Sequence, residues 1–301
     1  MAVENITATS AANFIPEIWS LDTLDAVEFA AVLPKLVNTD VEGEIKAKGD
    51  TVHIAHVNNY SVRTKSAGIS NPITFESMTH GVTDLVVDTH QYAAYQAEKF
   101  AERLAQPGYR EKQTRKLGYA LDRGLEVALA ALIPTLVTNS VGDYGTELSD
   151  ADYLLAWEKL ATAGAISEGA VNPDVACVLS VPAYAAALRT ERFINRDYNG
   201  DAGSEALARA HVGSIYGSQA VMSNLLNAPS AGQHACGFFH KEVFALARSQ
   251  RPEVASDFII EQLSTAVVAH QIYGKGRITR PIETPGSVTA NDAFGVLLKT
   301  V

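Results

Sequence analysis

Two β-periodic stretches, one around Val52 and Ile54 and one over residues 82–87, are separated by about 25 residues rich in Asn, Ser, Thr and Gly. The flanks read as the strands of one long hairpin, and the polar stretch as its extended end. A two-stranded ribbon is marginal in water by itself, because one pair of strands has nothing to bury a face against. A chain that keeps such a ribbon lays it across a neighbouring surface, as assembling subunits do. Tyr60, Arg63 and Lys65 lie in this stretch and are the side chains expected to meet a neighbour.

Residues 1–19 raise the same question. They are small and polar, without a period that buries a face, and end in Asn13-Phe14-Ile15-Pro16-Glu17-Ile18-Trp19. They read as an arm leading into a helix over residues 20–33 that Pro34 ends. Such a unit has no core, so Phe14, Ile15 and Trp19 are expected to pack on the rest of the molecule or on another copy.

Helical periodicity is strongest over residues 98–106 and 111–133, with Pro107-Gly108 between them. In the second segment Leu117, Leu121, Leu125, Ala128 and Leu132 form one stripe, while Arg115, Asp122, Arg123 and Glu126 fall on other sides. A helix of that length, roughly 35 Å, suits a spine for a flat molecule. A third helix is expected over residues 150–163, capped by Ser149 or Asp150. Beyond it the texture is mixed. Short β-rich runs stand at 175–180, 219–223, 237–239 and 266–273, helices near 182–189 and 241–248, and a turn at Gly274-Lys275-Gly276 precedes an extended stretch that returns toward the first half. The pattern is α+β.

Composition narrows the function. The 301 residues are 47% apolar and 19% charged, which fits a globular protein, and no apolar stretch approaches the roughly 20 residues of a membrane-spanning helix. The N-terminus does not read as a secretory signal. Cys177 and Cys236 stand alone, as buried reduced thiols do, and not as a disulfide framework or zinc site. A net charge of −10 argues against condensing nucleic acid, and the basic run Arg110, Lys112, Arg115 and Lys116 includes Glu111, as a salt-paired helix face does.

No motif carries catalysis. Gly274-Lys275-Gly276 opens no helix, so it is not a phosphate loop, and Ser180 and Ser214 lack the glycines of a nucleophile elbow. Glu98 and Glu102 are one helical turn apart but alternate with Lys99 and Arg103, the mark of an exposed face. His53 and His56 point to opposite faces of a strand and cannot share a metal. The chain is expected to be no enzyme and to need no cofactor or metal.

The order of arm, short helix, long hairpin, spine helix, mixed second half and returning strand resembles the major capsid proteins of tailed bacteriophages, which share the Hong Kong-97-type (Johnson) fold. The likeness extends to Phe14-Ile15-Pro16-Glu17-Ile18-Trp19, Leu36-Val37-Asn38, Glu42-Gly43-Glu44-Ile45 and Gly49-Asp50-Thr51-Val52. It continues in Val212-Gly213-Ser214-Ile215-Tyr216-Gly217, Met222-Ser223-Asn224, Phe239-His240-Lys241-Glu242 and Phe244-Ala245-Leu246-Ala247. The resemblance implies an N-terminal arm with a short helix at 1–48, an extended hairpin loop at 49–95 and a peripheral domain with the spine helix at 96–174. An axial domain follows at 175–275, and C-terminal strands return to the peripheral domain at 276–301.

It further implies pentamers and hexamers of an icosahedral shell around double-stranded DNA, assembled in the host cytoplasm and carried in the virion. Scaffolding and portal proteins are implied as partners, with no sequence-specific DNA binding and no membrane. The acidic balance suits a shell whose lining must not hold the genome during packaging. Some relatives join a Lys of the loop to an Asn of a neighbour. Lys65 and Asn291 are the conceivable pair here, but no Glu is marked to catalyse the bond, and no crosslink is expected. The competing readings are an encapsulin-like bacterial compartment and a soluble α+β hydrolase using acidic residues such as Glu98 and Glu102.

Overall fold

The computed structural model describes residues 31–41, 51–57, 60, 62–65, 73, 75–76, 80–99, 109–166, 174–194, 212–226, 229–278, 280–281, 290–291 and 294–301. Its first element is a short helix, α1 (Leu33–Leu36). Pro34 does not end this helix, as the sequence suggested, but starts it: the missing N–H falls in the first turn, where no intrahelical acceptor is needed. Of the helix expected at 20–33, residues before 31 lie outside the described residues. Next come β1 (Thr51–Val57) and β2 (His80–Val86), the antiparallel flanks of the hairpin, with Val52 opposite Leu85.

β3 (Thr89–Glu98) takes only the first residue of the helix expected at 98–106, and Lys99 is already helical. Glu98 closes a strand with alternating burial, and residues 100–106 lie outside the described residues. The alanines among His90, Tyr92 and Tyr95 mask the period of two. The spine helix, α2 (Tyr109–Ala130), stops at Ala130, not Ile133. Pro134 cannot donate to the Ala130 carbonyl, so the chain tightens into a 3₁₀ turn over Ile133–Thr135. After β4 (Ser140–Val141), α3 (Asp150–Thr162) starts where Ser149 N–H donates to the Asp152 carboxylate at 2.8 Å, as in a capping box.

The second half supplies β5 (Val175–Leu179), α4 (Val181–Ala187), α5 (Glu191–Ile194), β6 (Ser214–Ile215), β7 (Ser218–Met222) and β8 (His234–His240). The expected helix at 241–248 is instead a 3₁₀ turn, Lys241–Val243, followed by β9 (Phe244–Ile259). Phe244 to Ala247 are buried in succession, so neither face of the strand is polar and no alternation is visible. β10 (Ser264–Arg277) runs straight through Gly274-Lys275-Gly276, which is not a turn. β11 (Arg280–Pro281) pairs β12 (Ala290–Asn291), and β13 (Gly295–Thr300) follows.

Two larger sheets organise these strands. One has six strands in the order β4-β13-β8-β5-β7-β6, and the other three, β3-β10-β9. β13 does return to the first half, parallel to β4, but its other edge pairs antiparallel with β8. The main core lies on the six-stranded sheet, where Leu125, Leu129 and Ile133 meet Tyr153, Leu160, Cys177, Phe238 and Leu297. The N-terminal half of α2 packs Leu117 and Leu121 on Val267 and Ala269 of the three-stranded sheet. The helix thus spans both sheets, about 33 Å at 1.5 Å per residue.

The glycines of β10 mark where the hairpin crosses it. A Cβ on Gly274 would lie 2.4 Å from the Val86 carbonyl oxygen, and one on Gly276 would lie 2.7 Å from Leu85 Cδ1. Only glycine lets β2 approach so closely, and Val52, Leu85, Ala245, Ala247 and Ile278 form a separate small core at the crossing. Between the two glycines Lys275 turns to the spine helix and donates from Nζ to the Ala128 carbonyl at 2.6 Å, satisfying one of the last carbonyls of that helix. Burial lowers the Lys275 pKa from its ordinary value.

Glu126 departs from its expected exposed side. It is 5% exposed, and its carboxylate accepts from Ser223 Oγ at 2.9 Å and from the Val32 N–H at 3.0 Å. One side chain of α2 therefore binds the segment entering α1 and the end of β7.

Candidate assembly surfaces

β1 and β2 flank the extended end of the hairpin. Of its described residues, Tyr60, Val62, Arg63, Thr64 and Lys65 are exposed on the outgoing side, and Ile73 and Phe75 on the returning side. The two sides meet where Arg63 Nη2 donates to Glu76 Oε1 at 2.8 Å. The Arg63 side chain remains about half exposed, so this pair fixes the loop's shape more than it stabilises the fold.

Burial is unusual here. Val62 is 100% exposed and Phe75 90%, with Ile73 and Tyr60 above one half. Four large apolar side chains close in sequence and left in water form a candidate contact surface, since soluble monomers seldom expose apolar groups in clusters. The sequence reading named Tyr60, Arg63 and Lys65 in this stretch and did not name Val62, Ile73 and Phe75, which the structure shows to be exposed as well. The signal was present, as these are the bulky apolar residues of an otherwise polar stretch. Phe14, Ile15 and Trp19 lie outside the described residues.

A second exposed apolar group sits at the turn between β9 and β10, where Phe258, Ile260 and Leu263 point to solvent. Leu263 is left-handed, with φ 44° and ψ 44°. The end of β3 holds this turn: Lys99 N–H donates to the Leu263 carbonyl at 3.0 Å, Gln96 Nε2 donates to Ser264 Oγ at 2.6 Å, and Gln96 also bonds Gln262.

The remaining reactive side chains have structural work. Ser180 caps α4 by accepting from Ala183 N–H, and its own N–H donates to Cys236 Sγ at 3.3 Å. Cys177 and Cys236 are free and buried, and burial pushes both thiols up from their ordinary pKa. His53 pairs across the hairpin with Asp84 at 2.6 Å, on the surface. The His56 side chain and Glu102 lie outside the described residues. Among the described residues no three His, Cys, Asp or Glu side chains gather as a metal site, and no helix is long and apolar enough to cross a membrane.

No protein-family model matches the sequence, and no curated protein matches it. Solved structures do. One from Mycobacterium phage Che8 shares 23% identity over 95% of this chain and 97% of that one, with a TM-score of 0.71. The capsid structure of the Cyanophage P-SCSP1u is 16% identical over 98% and 95%, with a TM-score of 0.72. The asymmetric unit of the bacteriophage PhiM1 mature capsid is 14% identical over 95% and 92%, with a TM-score of 0.69. At such identities the likeness speaks for backbone architecture, and it covers nearly the whole of each chain. The protein thus has the α+β, Hong Kong-97-type fold shared with these phage structures.

Proposed function

We propose that the chain is the major capsid protein of a tailed phage, a structural subunit and not a catalyst. It assembles into the pentamers and hexamers of an icosahedral head that encloses double-stranded DNA. The observation that carries this reading is the exposure of Val62 (100%) and Phe75 (90%) on a loop that continues from the two-stranded β1–β2 ribbon. Such a loop is unstable in isolation and sensible in a lattice, where a neighbour removes it from water. The capsid structures of the same fold point the same way.

In this reading residues 1–48 form the arm and 49–95 the extended loop, with peripheral, axial and returning regions at 96–174, 175–275 and 276–301. The subunit-contact residues are Phe14, Ile15, Trp19, Tyr60, Arg63 and Lys65, to which Val62, Ile73 and Phe75 are added. A scaffolding protein and a portal complex are its partners during assembly in the host cytoplasm, and the virion is its final location. The net charge of −10 leaves the lining with little attraction for DNA.

Electron microscopy of particles formed by the expressed chain, alone and with a co-expressed scaffolding protein, tests the proposal. Closed icosahedral shells are expected. A chain that stays a small monomer or dimer under every condition overturns it. Particles from the native source that hold protein cargo in place of DNA overturn the phage assignment.

A further inference from the structure

We propose that His90 and His270 form a binding site for one divalent transition ion of the zinc, nickel or copper type, on the face of the three-stranded sheet that the spine helix leaves open. The proposal is independent of the shell reading. Ala93, Tyr95, Val267 and Ala269 pack with Leu117 and Leu121 of α2. Successive strand residues point to opposite sides, so His90, Tyr92 and His270 lie on the other face, where Tyr92 is 72% exposed.

His90 stands on the edge strand β3 and His270 on the central β10, two residues out of register, since the partner of His270 is Tyr92 and that of His90 is Ile272. The two rings meet all the same, with centroids 5.3 Å apart and planes at 75°. An imidazole nitrogen about 2.1 Å from a tetrahedral zinc puts its ring centroid about 3.2 Å from the metal, and an angle of about 109° between two such rings sets their centroids about 5.2 Å apart. The pair is thus already spaced for one ion. Rotation about the Cβ–Cγ bonds, a soft torsion, aims one nitrogen of each ring at a common point without moving either strand.

A second observation concerns one of these nitrogens. His270 Nδ1 is enclosed and has no hydrogen-bond partner among the described residues. Enclosed polar atoms are nearly always partnered, and an orphan marks a place suited to an ion or a water. A neutral imidazole keeps one lone pair for that purpose.

Ligand type selects the ion, because imidazole suits zinc, nickel and copper whereas magnesium and calcium prefer oxygen. Glu253 stands opposite His270 on β9 and adds a negative charge, while its carboxylate accepts from Gln250 Nε2 at 2.5 Å. With two protein ligands the ion keeps water in its other positions and acts as a staple between β3 and β10. That staple lies at the root of the hairpin, since β3 begins three residues after β2 ends.

Zinc titrated into the full chain, with a chromogenic chelator as competitor, tests the site. One equivalent is expected to bind and to raise the melting temperature by about 2–4 °C at ten times the half-saturating concentration, with no such effect from magnesium. His90→Gln and His270→Gln are each expected to weaken zinc by about ten-fold or more, and His53→Gln, on the hairpin surface, to leave it unchanged. Copper in the same site should show two coupled nitrogens by electron paramagnetic resonance, and one in either variant, a signature that misfolding does not imitate. A wild-type chain that binds no zinc, or zinc affinity and copper spectra that both variants retain, overturns the proposal and leaves the shell reading standing.

Discussion

Glu126 and Ser223, 97 positions apart, meet in a hydrogen bond of 2.9 Å inside the protein, and the same carboxylate takes the Val32 N–H. Both of these partners are neutral donors. Glu126→Ala leaves both donors without an acceptor and is expected to cost about 2–4 kcal/mol in chemical denaturation of the unassembled subunit. Ser223→Ala should cost less, about 1–2 kcal/mol, since Val32 keeps its acceptor. A double-mutant cycle with no coupling between the two positions would contradict the geometry.

Gly274→Ala brings a methyl against the Val86 carbonyl at 2.4 Å, backbone against backbone, and neither side yields cheaply. Hydrogen exchange in β1 and β2 is expected to rise by ten-fold or more, with stability lower by about 1–3 kcal/mol. Gly118 in α2 is the control: a Cβ there meets nothing within 4 Å, so Gly118→Ala should stabilise by about 0.5–1 kcal/mol.

Phe75→Ser and Val62→Ser remove apolar surface that the subunit never buries by itself. Both should melt within about 0.5 kcal/mol of wild type and still fail to assemble at concentrations where wild type forms particles. Variants that assemble normally would locate the contact elsewhere.

The buried thiols set an alkaline limit. Burial raises the folded pKa of Cys177 and Cys236, so the folded state holds these protons more tightly than the unfolded chain, which releases its own near pH 8.5. Stability from this source is complete below that pH and falls as pH rises toward the folded values. Denaturation midpoints of the subunit should decline from about pH 9 upward, and less so in Cys177→Ala. Neither thiol should react with iodoacetamide before the subunit unfolds.

Particles boiled in denaturant should run as one band at the mass of the single chain. Lys65 is exposed, but the loop shows no carboxylate beside it to promote an amide bond, since Glu76 is bonded to Arg63. A ladder of multiples would show that Lys65 has found an Asn in a neighbour.

Where local pattern and tertiary setting agree, the fold could be read from the chain. The hairpin flanks alternate because one of their faces is wet, and α3 carries Ser149 and Asp152 at the spacing of a capping box. Reading failed where the setting overrides the pattern. Phe244 to Ala247 are buried on both faces of β9 and resemble helix in composition. Gly274 and Gly276 look like a turn until the crossing β2 is seen. Glu126 sits among exposed charges in sequence, and only the distant Val32 and Ser223 explain its burial. On the loop, Arg63 stands out by its charge, whereas the exposure of Val62 and Phe75 is visible only in the structure.

β13 lies between β4 and β8, with its first four residues buried. Residues 295–300 leave the ribosome after every other strand of that sheet, so the nascent chain carries an open slot flanked by two finished edges until they emerge. A half-made subunit therefore cannot close its main core, and a chain cut short of residue 295 would leave that slot open.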